Sequence, residues 1–285
     1  MEYIYSADAD EVLDEENHLR FQQLKQVLMP EVEIVQMYYV TPPEYNTASN
    51  YMKEYRPKLY RRLRTFRWID AVHETVCLEP IVFDSEIEIL HLPQNLQSVR
   101  DFRLFGLAFA REGRLSEKLH SMYAKELFIS WEDEDFAGAV PVFEATLARP
   151  DAGGDMIKEA VCVLCHAYRT AGQTDRFFSM AFKLMPDSLC AELCCEVGRH
   201  FLDREDYQEA IQWFETAAYR TEAIIDIRRS GSVPLFGLSE CYGKLAEALR
   251  AAAPLSQEHR ELIRQCEEQA ERYQEEGQKW EIPVE

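Results

Sequence analysis

Between residues 98 and 277 the chain repeats itself. Apolar residues recur there at helical spacing, and landmarks return at a near-constant interval. Pro150 and Pro186, each following a helical pattern, lie 36 residues apart, Tyr168 and Phe201 lie 33 apart, and Ala139 and Ala210 lie 71 apart. A period of roughly 34 residues is that of a helix pair. Such a unit cannot bury its apolar face alone, so each pair must stack on the next. The best-formed copy is LCAELCCEVGRHFLDREDYQEAIQWFETAAYR, residues 189 to 220. Here Val197 and Phe201 face a second helix through Ala210, Phe214 and Ala217, with DREDY as the turn. The small residues let the helices approach, and the aromatics fill the neighbouring groove. Residues 120 to 150 follow the same logic with Phe136, Ala139 and Phe143, and residues 159 to 186 form a shorter copy. A last pair, roughly 234 to 250 and 256 to 276, is charged on its outer positions and reads as a cap.

Residues 1 to 92 have a different period. Strands are expected at Tyr3–Ala7, Glu33–Val40, Lys58–Arg61 and Glu86–Leu90, and a helix over Glu16–Leu28 with Leu19, Leu24, Val27 and Leu28 as its apolar stripe and Pro30 as its stop. The expected fold is therefore mainly α. A partial α/β domain, 1–97, precedes an α-solenoid of tetratricopeptide-like helix pairs, 98–285. A solenoid of this kind holds a peptide or another subunit on its concave face, or serves structure alone.

Charge and cysteine usage exclude several classes. The 51 acidic residues outnumber the 31 basic ones, a formal net charge of −20, which repels a polyanion and argues against nucleic-acid binding. No uninterrupted apolar run reaches the ~18 residues of a membrane span. The eight cysteines fall mostly inside helical patterns of a chain too large to need stapling, which points to reduced thiols in the cytoplasm. Cys162 and Cys165 with Cys190 and Cys194 have a spacing that suggests zinc, but each belongs to an apolar helix face, where cysteine packs as a small hydrophobe.

Four elements in the N-terminal part carry chemistry in a fixed order: Asp8-Ala9-Asp10, the basic segment Lys58-Leu59-Tyr60-Arg61, Trp68 followed by Val72-His73-Glu74, and a strand ending in His91. In this order they resemble the bacterial family 2 glycosyltransferases that carry tetratricopeptide repeats at their C-terminus. The resemblance extends through the repeats over most of the chain. It implies sugar transfer from a nucleotide-sugar to a protein or glycan acceptor. A divalent cation, Mn or Mg, then offsets the charge that builds on the leaving diphosphate. On this reading Asp8 and Asp10, joined by His91, hold the metal. Glu74, with Asp70 as second choice, deprotonates the acceptor. Arg61, Arg62 and His73 face the diphosphate. Seven basic residues between Lys53 and Arg67, in an otherwise acidic chain, agree with an anion nearby. Asp8 and Asp10 point to opposite faces of an ideal strand, so both reach one site only if a turn follows the strand. The competing reading of these aspartates is a strand-to-helix turn in which one caps the helix.

Members of the resembled family begin with a nucleotide-binding βαβ half of roughly a hundred residues, and this sequence starts within the strand that is expected to lie at the sheet centre. The expectation is a portion of the catalytic domain that is weak or inactive alone, completed by an N-terminal glycosyltransferase half or self-associating through an open sheet edge. The alternative is a non-catalytic tetratricopeptide adaptor that binds a protein partner.

Overall fold

The computed structural model describes residues 2–40, 53–70, 75–79, 81–92, 98–129, 132–185, 188–251 and 256–280. Within these residues the protein is mainly helical, with a small mixed sheet in its N-terminal part.

That part contains, in chain order, β1 (Tyr3–Tyr5), β2 (Glu11–Val12), α1 (Glu15–Val27), β3 (Ile34–Val40), β4 (Lys53–Arg61), β5 (Trp68–Ile69), β6 (Thr75–Val76) and β7 (Val82–His91). Five strands form one sheet in the order β1-β4-β3-β7-β2, parallel between β3 and β7 and antiparallel elsewhere, while β5 and β6 make a separate antiparallel pair. The apolar run of β3 takes the centre and is buried at Ile34, Val35, Met37 and Tyr39. The strand expected at Tyr3–Ala7 is not central. It is a three-residue edge strand whose only sheet partner among the described residues is β4.

Helix α1 begins at Asp14, whose carboxylate accepts a hydrogen bond from the Asn17 backbone N–H at 2.8 Å. The capping role is thus filled by Asp14 and not by Asp8 or Asp10. The helix turns Leu24, Phe21 and Leu28 toward Val35, Met37, Tyr39, Leu59, Ile87 and Ile89. Leu19 and Val27, read as part of the stripe, are 63% and 73% exposed. The buried face runs instead through Asn17, whose amide oxygen accepts from the Glu88 backbone N–H and so occupies a position an apolar count passes over.

Strands β1 and β2 lie at opposite edges, yet only residues 6–10 join them. Four strand spacings place the edges of a flat sheet about 19 Å apart. The connection turns back at Asp8, whose carbonyl accepts from the Glu11 N–H.

The remaining helices are α2 (Ser98–Glu112), α3 (Glu117–Ile129), α4 (Asp133–Leu147), α5 (Gly154–Thr170), α6 (Thr174–Ala181), α7 (Ala191–Leu202), α8 (Tyr207–Tyr219), α9 (Ser232–Ala251) and α10 (Gln257–Trp280). Consecutive helices pack together from α4 to α6 and from α7 to α10, and α3 touches α5, α5 touches α7, and α7 touches α9. The DREDY turn separates α7 from α8, with Glu205 in the left-handed region (φ 62°) and Asp206 accepting from the Glu209 N–H. Ala210, Phe214 and Ala217 are buried in one cluster with Ala191, Cys194 and Leu238. Phe214 lies against two helices where they carry glycine. A Cβ on Gly198 or on Gly237 would stand 3.1 or 2.7 Å from its ring. The chain divides into two compact units with the break between Ala108 and Phe109, inside α2, beyond the expected boundary at 97/98. Phe102, Phe105 and Ala108 are buried on the N-terminal side of that break. Among the described residues no helix is long and apolar enough to cross a membrane.

Candidate cation site

Two residues 81 positions apart meet at one end of the sheet. Pairing of Glu11 with His91, and a hydrogen bond from the Leu92 N–H to the Asp10 carbonyl at 2.8 Å, hold Asp10 beside the end of β7. His91 Nε2 then lies 3.2 Å from Asp10 Oδ2, with each side chain about three-quarters buried. The imidazole packs on the ring of Tyr39, 5.0 Å between centroids.

Tyr39 organises the surroundings. The Arg56 guanidinium lies over its ring at 3.8 Å and Lys58 Nζ at 5.4 Å. Burial pushes the Tyr39 phenol well above its ordinary value; Arg56 opposes this, and Glu11, Asp10 and Asp8 add to it. Asp8 itself is exposed, in the turn before β2, near enough to act on this phenol. Below the surface Lys58 and Glu11 form a buried ion pair. The second carboxylate oxygen of Glu11 is buried and has no hydrogen-bond partner. Glu11, Tyr39 and Arg56 were not singled out as site residues from the sequence. The signal available was the unbroken run Asp8-Ala9-Asp10-Glu11, in which the fourth residue pairs directly with His91.

Asp10 and His91 hydrogen-bond to each other, and a cation bound between them would take the place of the shared proton. Oxygen and nitrogen ligands at adjacent corners of an octahedral ion bound at about 2.1 Å stand about 3 Å apart, close to the Asp10–His91 separation. Two protein ligands are also what a hard cation takes when diphosphate oxygens and water supply the rest.

The other expected site residues are placed as follows. Arg61 and Arg62 lie at the far end of the strands. Tyr60 pairs with Ile34 whereas Glu54 pairs with Tyr39, and five residues of strand span about 17 Å. There the Arg61 side chain donates to the Pro30 carbonyl and its backbone N–H to Glu33, while the Arg62 N–H bonds to the Glu2 carbonyl. The expectation that both line the rim of the aspartate site is therefore not met: β4 runs antiparallel to β3 and carries its C-terminal basic residues away from the site. Asp70 follows β5 in the left-handed region, φ 69°. His73 and Glu74 lie outside the described residues.

In the helical unit, α5 and α7 share a buried polar network. Glu196 accepts from His166 Nδ1 at 3.0 Å, Arg169 at 2.7 Å and Arg229 at 3.1 Å. Burial alone raises the Glu196 carboxyl, but His166, Arg169 and Arg229 outweigh it and hold the group well below the usual carboxylate range. Among the described residues one set of three potential metal ligands lies close together: Cys162, Cys190 and Glu192. Glu192 already accepts three backbone N–H groups, and the contact with Cys190, together with burial, keeps the Cys162 thiol protonated far above its ordinary range. This chemistry favours packing over coordination.

No protein-family model matches the chain, and no curated protein sequence matches it.

Proposed function

We propose that the N-terminal unit is the cation-binding portion of a nucleotide-sugar transferase that passes a sugar with inversion to a protein or glycan acceptor. The observation that carries this reading is the approach of Asp10 Oδ2 and His91 Nε2 to 3.2 Å, where the turn before β2 meets the end of β7. Asp10 and His91 hold a divalent cation, Mn or Mg, with Asp8 at the turn above them. Bound there, the cation offsets the charge of the departing diphosphate. Tyr39 keeps the imidazole in place, and the Lys58–Glu11 pair underneath fixes β2 against the sheet. Acceptor deprotonation belongs to Glu74, with Asp70 second, on the strength of the resemblance. Calorimetric titration with uridine and guanosine diphosphates, with and without Mn²⁺, tests the proposal. Binding that requires the cation supports it, and binding indifferent to the cation, or none under either condition, refutes it.

A second reading has its own observation. The serial contacts α3–α5, α5–α7 and α7–α9 support reading the helices as stacked pairs of an α-solenoid, which fits an adaptor for a protein or peptide. The eight cysteines without disulfide partners fit a reducing, cytoplasmic setting for either reading.

A further inference from the structure

The connection from α8 to α9 is held as a bound peptide is held. Glu192, fully buried on α7, accepts the backbone N–H groups of Ile224, Ile225 and Asp226 at 3.0, 2.7 and 3.0 Å. Three successive N–H groups converging on one carboxylate form an anion nest, here supplied by the connection and filled by the helix. One helical turn further along α7, Glu196 accepts from the buried Arg229 guanidinium at 3.1 Å, and the same guanidinium lies over the Phe128 ring of α3 at 4.8 Å. The thiol of Cys195, between the two carboxylates, donates to the Arg229 carbonyl. Arg228 reaches the Phe128 carbonyl at 3.3 Å, so residues 222–229 are pinned to α7 and extend to α3. Main chain and one arginine are thus read by two carboxylates four residues apart, which share a helix face.

The outer side of the connection is open. A cavity of about 970 Å³ adjoins Thr221, Ile224 and Ile227 and is bounded elsewhere by Lys158, Leu189 and Tyr219. Arg228 is about half exposed, and the Arg229 Nε atom is buried without a partner. The connection is thus held by polar contacts on either side of Ile225, whose side chain is fully buried, while Ile227 and Arg228 face outward.

We infer that Glu192 and Glu196 on α7 form a recognition site for an extended segment bearing an arginine three residues after the N–H nest, that residues 221–231 are its tethered occupant, and that a partner chain of the same arginine pattern displaces them. Charge complementarity selects that partner: Glu192 and Glu196 are buried carboxylates, and Glu196, also paired with His166 and Arg169, takes one further guanidinium from the segment, here that of Arg229. The inference rests on the reading of the helices as a peptide-binding array and adds the chemistry of the ligand.

The test uses the full chain and a labelled peptide of residues 220–231, RTEAIIDIRRSG, with a second peptide carrying alanine at the Arg229 position. Arg229→Ala loosens the connection. Hydrogen exchange at the amides of Ile224, Ile225 and Asp226 should quicken, and fluorescence anisotropy should show the arginine peptide bound about tenfold or more tighter than by the unmodified protein. Adding Glu196→Gln should abolish that gain. Arg228→Ala, at a half-exposed side chain, loosens the same segment with little risk to folding and should move binding in the same direction. Folded variants that release the amides yet bind no better overturn the inference. Equal binding of both peptides keeps the array a peptide binder but removes the arginine rule, and no binding of either peptide removes both.

Discussion

Gly237→Ala is a sharp test of how the helices fit together. A Cβ at this position stands 2.7 to 2.8 Å from three ring atoms of Phe214, and the corresponding position on Gly198 is only 3.1 Å from the same ring, so α7 and α9 together bound the space the ring occupies. Ordinary contact needs a shift of several tenths of an ångström in a cluster where Ala210, Ala217 and Leu238 are fully buried. Overpacking of this kind costs about 1 to 3 kcal/mol, whereas alanine for glycine inside a helix stabilises by about 1 kcal/mol. The net expectation is a loss of up to about 2 kcal/mol, a fall in Tm of up to about 8 °C for the helical unit. Gly243→Ala on the same helix is the control, because a Cβ there meets nothing within 4 Å. It should raise Tm by a few degrees. Thermal unfolding followed by circular dichroism reads both, and Phe214→Leu added to Gly237→Ala should recover part of the loss. Tm shifts of the same sign for the two glycine variants would refute the placement of Phe214 between these helices.

Three further outcomes are expected. Lys58→Met strands the buried Glu11 carboxylate and should destabilise the N-terminal unit by about 3 to 5 kcal/mol in urea, with Glu11→Gln restoring much of it; a change below about 1 kcal/mol would show that the pair is not buried. Glu196 has its carboxyl pKa held below the ordinary value, so its contribution is complete above about pH 4.5 and is lost as pH falls toward the lowered value in the folded state; an acid-unfolding profile unchanged in Glu196→Gln would contradict this. Among the described residues strand β1 pairs on one side alone, with Ile4 half exposed, so the protein should self-associate with rising concentration in analytical ultracentrifugation, and Ile4→Lys should suppress it.

What the residues announced and what they concealed follow from the range of the interactions involved. The α7–α8 pair was legible because its signals are local: small and aromatic residues at helical spacing, and a turn in which Asp206 caps the next helix. Strand β3 was legible as an apolar β-branched run. The edge position of β1 was not, because strand order depends on partners up to 58 residues away, Tyr3 pairing with Arg61. Arg61 and Arg62 were legible as basic but not as distant, since only the antiparallel register of β4 on β3 decides which end of a basic strand faces the aspartates. Asp10 and His91 entered, with Asp8, through the order of motifs, and the pairing of β2 with β7 accounts for their meeting. Residues 221–231 have no periodicity, and Glu192 and Glu196 look in sequence like solvated helix charges. Their role depends on N–H groups and a guanidinium 32 to 34 positions later.

The central claim is that Asp10 and His91 form one cation site, and Mn²⁺ titration followed by the electron paramagnetic resonance of the free ion addresses it directly. With uridine diphosphate present, Asp10→Asn and His91→Ala should each weaken Mn²⁺ binding about tenfold, about 1.4 kcal/mol, while Arg61→Ala at the far end of the sheet leaves it unchanged. Equal Mn²⁺ affinity in the unmodified protein, Asp10→Asn and His91→Ala would contradict the account.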